Sequence, residues 1–295
     1  MARYGLPWQG SKSRIAEWVI DVLPPSHTLV DLFAGGGAIT HCALLSGKWE
    51  RIIMNDMTDS AKVFFAAING EFEGYAACPS REEWFKYRDQ DTAMALLHSF
   101  GNDKTTYLWS EELEAVKRPA SLMVSAPSLW ERYQWYHRFC DALAEYLQAN
   151  DLDPSLVHDG RGHGVFSLQD KDRIERLIQL ERVSRLQGLQ GLQGDYRLVD
   201  IPEGATVYAD PPYRGTPNSS RYGAFDFDAF DMWLGGVDFP VFVSEFDAPV
   251  GCVEIASTER VTSMAANSTD KRTERIFVQE RFYDQCKIPT LFDMG

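Results

Sequence analysis

Cysteine is scarce and scattered in this chain of 295 residues: Cys42, Cys78, Cys140, Cys252 and Cys286 are odd in number and include no C-x-x-C pair. That pattern suggests neither a disulfide framework nor a zinc site, so the five thiols read as reduced core residues and no metal is expected. Long hydrophobic runs are missing as well. No stretch reaches the roughly 18 apolar residues a membrane span needs, and the N-terminus lacks the apolar segment of a signal peptide, so the expectation is a soluble, cytoplasmic protein. Positive charge is in deficit, with 29 Lys and Arg against 43 Asp and Glu and a formal net charge of −14. Bulk attraction to a polyanion is thereby excluded, because phosphate neutralisation needs Lys and Arg, and any nucleic-acid contact has to be local. A small basic arm does precede the first acid, Glu17: Arg3, Lys12 and Arg14.

The remaining composition is that of an ordinary globular protein, 44% hydrophobic and 24% charged with 13% aromatic residues, far from disordered or coiled-coil chains. The length suits two domains, or one α/β domain with a large insertion. Residues 28–33 form a short apolar run that meets Ala34-Gly35-Gly36-Gly37 and then a helical stretch from Ala38 to Ser46. A second strand, 51–55, ends at Asp56 and is followed by a helix over 60–68, giving a βαβα unit built for a parallel sheet. From Gly70 to Gly188 the pattern is mainly helical. Its best helix spans 168–186, where Ile174, Leu177, Ile178, Leu180 and Val183 recur at three- and four-residue steps and Ser167 with Asp170 offers a capping box. The Gly-Leu-Gln repeat over 186–194 is too glycine-rich for a stable helix and reads as a linker. Strands resume at 206–209, running into Asp210-Pro211-Pro212-Tyr213, and at 241–244; Cys252–Ala256 and Arg275–Val278 suit an antiparallel edge.

In an open parallel sheet the ligand lies beyond the carboxyl ends of the strands. Gly35 to Gly37 remove side chains that would hold a ligand off the backbone, and Asp56 is placed to accept hydrogen bonds from both hydroxyls of a ribose. The bland alternative is a tight turn followed by a helix cap. The turn lacks G-x-G-x-x-G spacing, which argues against a nicotinamide-dependent oxidoreductase. Asp210-Pro211-Pro212-Tyr213 says more. Two successive prolines donate no hydrogen bond, so the segment is a stiff, acceptor-only edge suited to an amino group, and Tyr213 adds a flat face on which a base can stack. An ordinary proline turn is the alternative there. No Pro-Cys pair is present, only the reversed Cys78-Pro79, so no covalent enzyme intermediate is called for.

Three segments taken together, Trp8-Gln9-Gly10-Ser11-Lys12, Asp31-Leu32-Phe33-Ala34-Gly35-Gly36-Gly37 and Asp210-Pro211-Pro212-Tyr213, resemble the Dam-type family of S-adenosylmethionine-dependent DNA adenine N6-methyltransferases. The resemblance covers residues 3–66 and 190–295, including Gly194-Asp195-Tyr196, Ser244-Glu245 and the Glu274–Val278 tail. The Trp-Gln-Gly-Ser-Lys segment departs from the small-residue run usual in that family. What the resemblance implies is a class I methyltransferase, Rossmann-like α/β fold: a mixed, mostly parallel sheet formed by 1–69 and 189–295, interrupted by a helical target-recognition insertion over 70–188. It further implies that Trp8 and Lys12 border the cofactor, Lys12 at its carboxylate. Asp31, Phe33, Ala34, Gly35 and Gly37 would shape the turn beneath the methionine part, Asp56 would take the ribose, and Asp195 with Tyr196 the adenine edge. Asp210, Pro211, Pro212 and Tyr213 would be catalytic, and S-adenosylhomocysteine the product. The implied partner is double-stranded DNA with the target base flipped, alongside a possible cognate restriction nuclease.

Phosphate-contact candidates are Arg14, Arg214, Arg221, Lys271, Arg272 and Arg275. The His158–Gly164 loop invites a metal or DNA reading but is more simply a glycine-rich loop. Trp130, Tyr133, Trp135, Tyr136 and Phe139 have the spacing of one helix face, best read as packed in a core and alternatively as a stacking platform. N4-cytosine methylation fits the same acceptor edge, and a non-catalytic nucleic-acid-binding protein retaining the fold is the rival from another class.

Overall fold

Short apolar runs that are buried along their whole length become the central strands. β1 (Thr28–Asp31) and β2 (Arg51–Asp56) pair in parallel, as do β3 (Leu189–Gln193) with β2, β4 (Thr206–Ala209) with β1, and β5 (Val241–Glu245) with β4. β6 (Cys252–Val261) and β7 (Lys271–Gln279) close the other side antiparallel, giving the order β3-β2-β1-β4-β5-β7-β6. Every residue of β1, β4 and β5 is buried, as expected of parallel strands covered on both faces. The computed structural model describes residues 4–6, 8, 10–68, 78–100, 103–152, 188–214, 225–261 and 271–286. The helix expected over 168–186, the His158–Gly164 loop, Arg3 and Arg221 lie outside them.

The helices among the described residues are α1 (Ala16–Val22), α2 (Ala38–Ser46), α3 (Ser60–Ile68), α4 (Arg81–Tyr87), α5 (Thr92–Leu97), α6 (Glu111–Ser125), α7 (Leu129–Ala149), α8 (Phe227–Gly236) and α9 (Tyr283–Cys286). None of them is long and apolar enough to cross a membrane. The chain divides into two compact units, one holding Lys12–Lys62 and Arg185–Gly295 with Met1–Gly5, the other Leu6–Ser11 with Val63–Ser184. In the sheet unit, Val30, Leu32, Ile53, Val207, Phe230, Leu234 and Val243 form one apolar cluster. In the second unit, Trp84, Tyr107, Leu108 and Trp109 form another beside Cys78. Ser80 with Glu83 and Ser128 with Glu131 make full capping boxes that start α4 and α7.

Two expectations are corrected. The Gly-Leu-Gln segment is no linker where it is described: Leu189–Gln193 is an edge strand in register with β2, Ile52 opposite Leu189 and Asp56 opposite Gln193. A strand held by main-chain hydrogen bonds at an edge needs few apolar side chains, so its polar composition hid it. The aromatic face of α7 is not packed away. No residue of α7 is buried, and Trp130 and Tyr133 are 67% and 55% exposed. Helical spacing shows that side chains share a face, not that another element covers it.

Candidate active site

Because β3, β2, β1, β4 and β5 run parallel, their carboxyl ends share one edge of the sheet, where ligands of such folds bind. Along that edge stand Asp56 at the end of β2, Asp31 at the end of β1, Asp210 just after β4 and Glu245 at the end of β5. β7 runs the other way, with Arg275 opposite Glu245, so Glu274 reaches the same edge from the antiparallel side. Asp31, Asp56, Glu245 and Glu274 are buried, and Asp210 is 16% exposed.

Burial, with the crowding of carboxyl groups, raises the proton affinity of Asp31, Glu245 and Asp210. Burial lifts Asp31 to about 7, with Asp210 and Asp56 adding to the rise and the Thr40 hydroxyl opposing it. Glu245 is likewise pushed up to about 7 by burial, against backbone hydrogen bonds from Phe246 and Arg214. Asp210 is raised by burial and by Glu274, while the Lys12 ammonium pulls it down.

Lys12 is the centre of this group. Its side chain is only 6% exposed, with Nζ 2.7 Å from Asp210 Oδ1 and 3.4 Å from Glu274 Oε1. The same ammonium lies 4.4 Å from the centroid of the Tyr213 ring, whose hydroxyl donates to Glu274 and whose edge contacts Phe246. Lys12 is thus withdrawn from the basic arm and held among acids. The geometry brings together Lys12, Asp210 and Tyr213, and adds Glu274, to which sequence reasoning gave no role. The signal for it was faint: Glu274 only opens the tail that the resemblance covers, ahead of a strand legible as an antiparallel edge.

The glycine turn is equally well defined. Asp56 Oδ2 accepts from the Gly35 N–H at 2.8 Å, and its Oδ1 accepts from the backbone and hydroxyl of Thr58. Asn55, another residue passed over, donates from Nδ2 to the carbonyls of Leu32 and Gly194, tying the ends of β1 and β3 to β2. Gly5 has φ +72, and a Cβ there would lie 2.6 Å from Ala38 N and Gly36 O, so the N-terminal segment approaches the turn where only glycine fits. Pro211 is buried and Pro212 half-buried beside Asp210. Phe33 packs on Tyr196 at 4.9 Å, and Tyr196 in turn on Trp233. Asp195 is ion-paired to Arg197, which holds its carboxyl below the ordinary range.

Of the phosphate-contact candidates, Arg14 is exposed. Arg214 is spoken for, 2.7 Å from Asp231 and stacked over Phe227, and Arg275 pairs with Glu254. Lys271 and Arg272 begin β7. Trp8 is buried in the second unit with the Lys104 ammonium 5.2 Å from its ring.

A doubly wound, mostly parallel sheet with a glycine turn after its first strand, an acid closing the second and an Asp-Pro-Pro-Tyr turn after the fourth defines a class I methyltransferase fold. Residues 8–117 match the family model for the D12 class N6 adenine-specific DNA methyltransferase. Its activity is methylation of the N6 amine of adenine in DNA, with S-adenosylmethionine as the donor that the family implies. No curated protein matches the chain significantly.

The residues present suit that donor. Asp31 Oδ1 is buried without a hydrogen-bond partner, and the N-terminus of α2 has neither a side-chain cap nor an acid in its first turn. An unmet acceptor beside a helix N-terminus that carries no acid matches the ammonium and the carboxylate of an amino acid.

Proposed function

We propose that the Asp210-Pro211-Pro212-Tyr213 turn, with Lys12 and Glu274, forms the transfer site of a sequence-specific adenine N6-methyltransferase that acts on flipped bases of duplex DNA. The donor would be held by Asp31, the Phe33–Gly37 turn and the α2 N-terminus at its methionine part, by Asp56 at the ribose, and by Asp195 and Tyr196 at the adenine. When bound, it supplies an electrophilic methyl group on a sulfonium. The chain's own part is to orient and polarise the amine. Its lone pair is delocalised into the purine ring; accepting its N–H protons at Asp210 and the Pro211 carbonyl localises that pair toward the methyl carbon. The nitrogen pair then forms the N–C bond, the C–S pair stays with sulfur, and one amine proton leaves through Asp210 to solvent. The positive charge that develops on the nitrogen until that proton leaves would lie beside the Asp210 and Glu274 carboxyl groups, which favours the transfer electrostatically.

The observation that supports this most is the Lys12–Asp210 contact, because a buried ammonium held against the turn opposes the effect of burial on Asp210. The helical unit, residues 70–188 by the sequence division, would read the target sequence. A cytoplasmic location, a cognate nuclease and S-adenosylhomocysteine as product belong to the same reading. Transfer of labelled methyl to DNA, followed by nucleoside analysis, should yield N6-methyladenine. Asp210→Asn, which offers an N–H donor where an acceptor is needed, should lower the rate by about 10²–10³-fold with donor affinity nearly unchanged. Absence of N6-methyladenine on sequence-diverse DNA would refute the proposal.

A further inference from the structure

We infer that Glu274 is a positioning residue of the transfer reaction, the carboxylate that takes over the Lys12 ammonium when the target amine arrives at Asp210. This rests on the transfer site proposed above. The ammonium sits against Asp210 Oδ1 at 2.7 Å and over the Tyr213 ring at 4.4 Å. Those are the two contacts, an acceptor and an aromatic face, that an incoming adenine needs. Lys12 therefore occupies the subsite for the amine, and substrate entry requires it to yield.

Where it goes is set by the neighbours. Glu274 Oε1 is already 3.4 Å from Nζ, and the Glu274 side chain is fully buried. Its backbone is fixed in β7, which is hydrogen-bonded on both sides by β5 and β6. The Tyr213 hydroxyl also donates to Glu274, so the ring that flanks the base and the lysine that makes way for it share one anchor. Lysine carries its charge on a flexible four-carbon stem, so a short swing from one carboxylate to the next needs no backbone movement. Without Glu274 the displaced ammonium would be left buried and unpaired, which is costly, and it would stay on Asp210.

The test uses the full chain with Glu274→Gln, measured in single-turnover methylation of an adenine-containing duplex at saturating S-adenosylmethionine. The variant should lose about tenfold or more in rate with its donor dissociation constant within about threefold of wild type. In a Lys12→Ala background the same substitution should change the rate by less than about threefold, because there is no ammonium left to hold. A purely structural role would lower the rate equally in both backgrounds, and that result, or a Glu274→Gln enzyme as fast as wild type, overturns the inference. Should the variant fail to fold, a wild-type structure with a non-reactive donor analogue and duplex decides: Lys12 on Glu274 supports it, and Lys12 still on Asp210 beside the bound amine overturns it. If the wild-type chain forms no N6-methyladenine, the transfer-site reading falls and takes this inference with it.

Discussion

Asp31 shows how one buried group can couple stability to ligand chemistry. One of its oxygens accepts from the Thr40 hydroxyl at 2.8 Å and the other has no hydrogen-bond partner. Its carboxyl is lifted to about 7, so between the ordinary carboxylate value near 4 and about pH 7 the folded chain holds a proton that the unfolded chain has lost. The stability this gives is fully present below about pH 4 and disappears as pH rises through 7. Asp31→Asn retains an acceptor for Thr40 and does not titrate. Its melting temperature should therefore rise relative to wild type across that window and run parallel to it outside; curves parallel throughout would contradict the assigned shift. The sequence showed Asp31 as the one acid within an apolar run and, by resemblance, as part of the cofactor turn, but not its proton affinity, which depends on burial and on the Asp210 and Asp56 charges that the sheet brings near.

At the scale of elements, β3 is the instructive case. Its first hydrogen bond to β2 comes from Ile52 N to Gly188 O at 2.9 Å, and Gly188 has φ +102 with a virtual Cβ 2.3 Å from Glu50 O. Gly188→Ala should destabilise the sheet unit by about 1–3 kcal/mol, since both the backbone conformation and the contact oppose a side chain. Gly47 also has positive φ, +65, but open space around its Cβ position, so Gly47→Ala should cost only about 1–2 kcal/mol. Denaturant titration of both variants checks the ordering. The helices α2 and α3 and the strands β1, β2, β4 and β5 were legible because burial imposes short apolar runs on the strands and apolar stretches on the helices that follow them. β3 was not, because an edge strand is specified by main-chain pairing and leaves little trace in side-chain pattern.

For the whole molecule, the net charge of −14 limits how DNA can be held. Lys12 is held by Asp210, Arg214 by Asp231 and Arg275 by Glu254. A chain so acidic should hold duplex DNA through few local contacts, so a plot of log affinity against log salt concentration should have a slope no steeper than about −4. Filter binding on an adenine-containing duplex measures it, and a much steeper slope would point to a basic surface elsewhere in the chain.

By itself the sequence determined the alternation of strands and helices, the glycine turn and the Asp-Pro-Pro-Tyr turn, because each depends on local chemistry: apolar period, absent side chains, fixed φ. It also carried the family resemblance. Only the tertiary structure decided that Lys12 leaves the basic arm to lie between Asp210 and Glu274. Those three are brought together by parallel crossovers and an antiparallel return, and pairing among distant residues is set by strand order, which no local pattern of residues encodes.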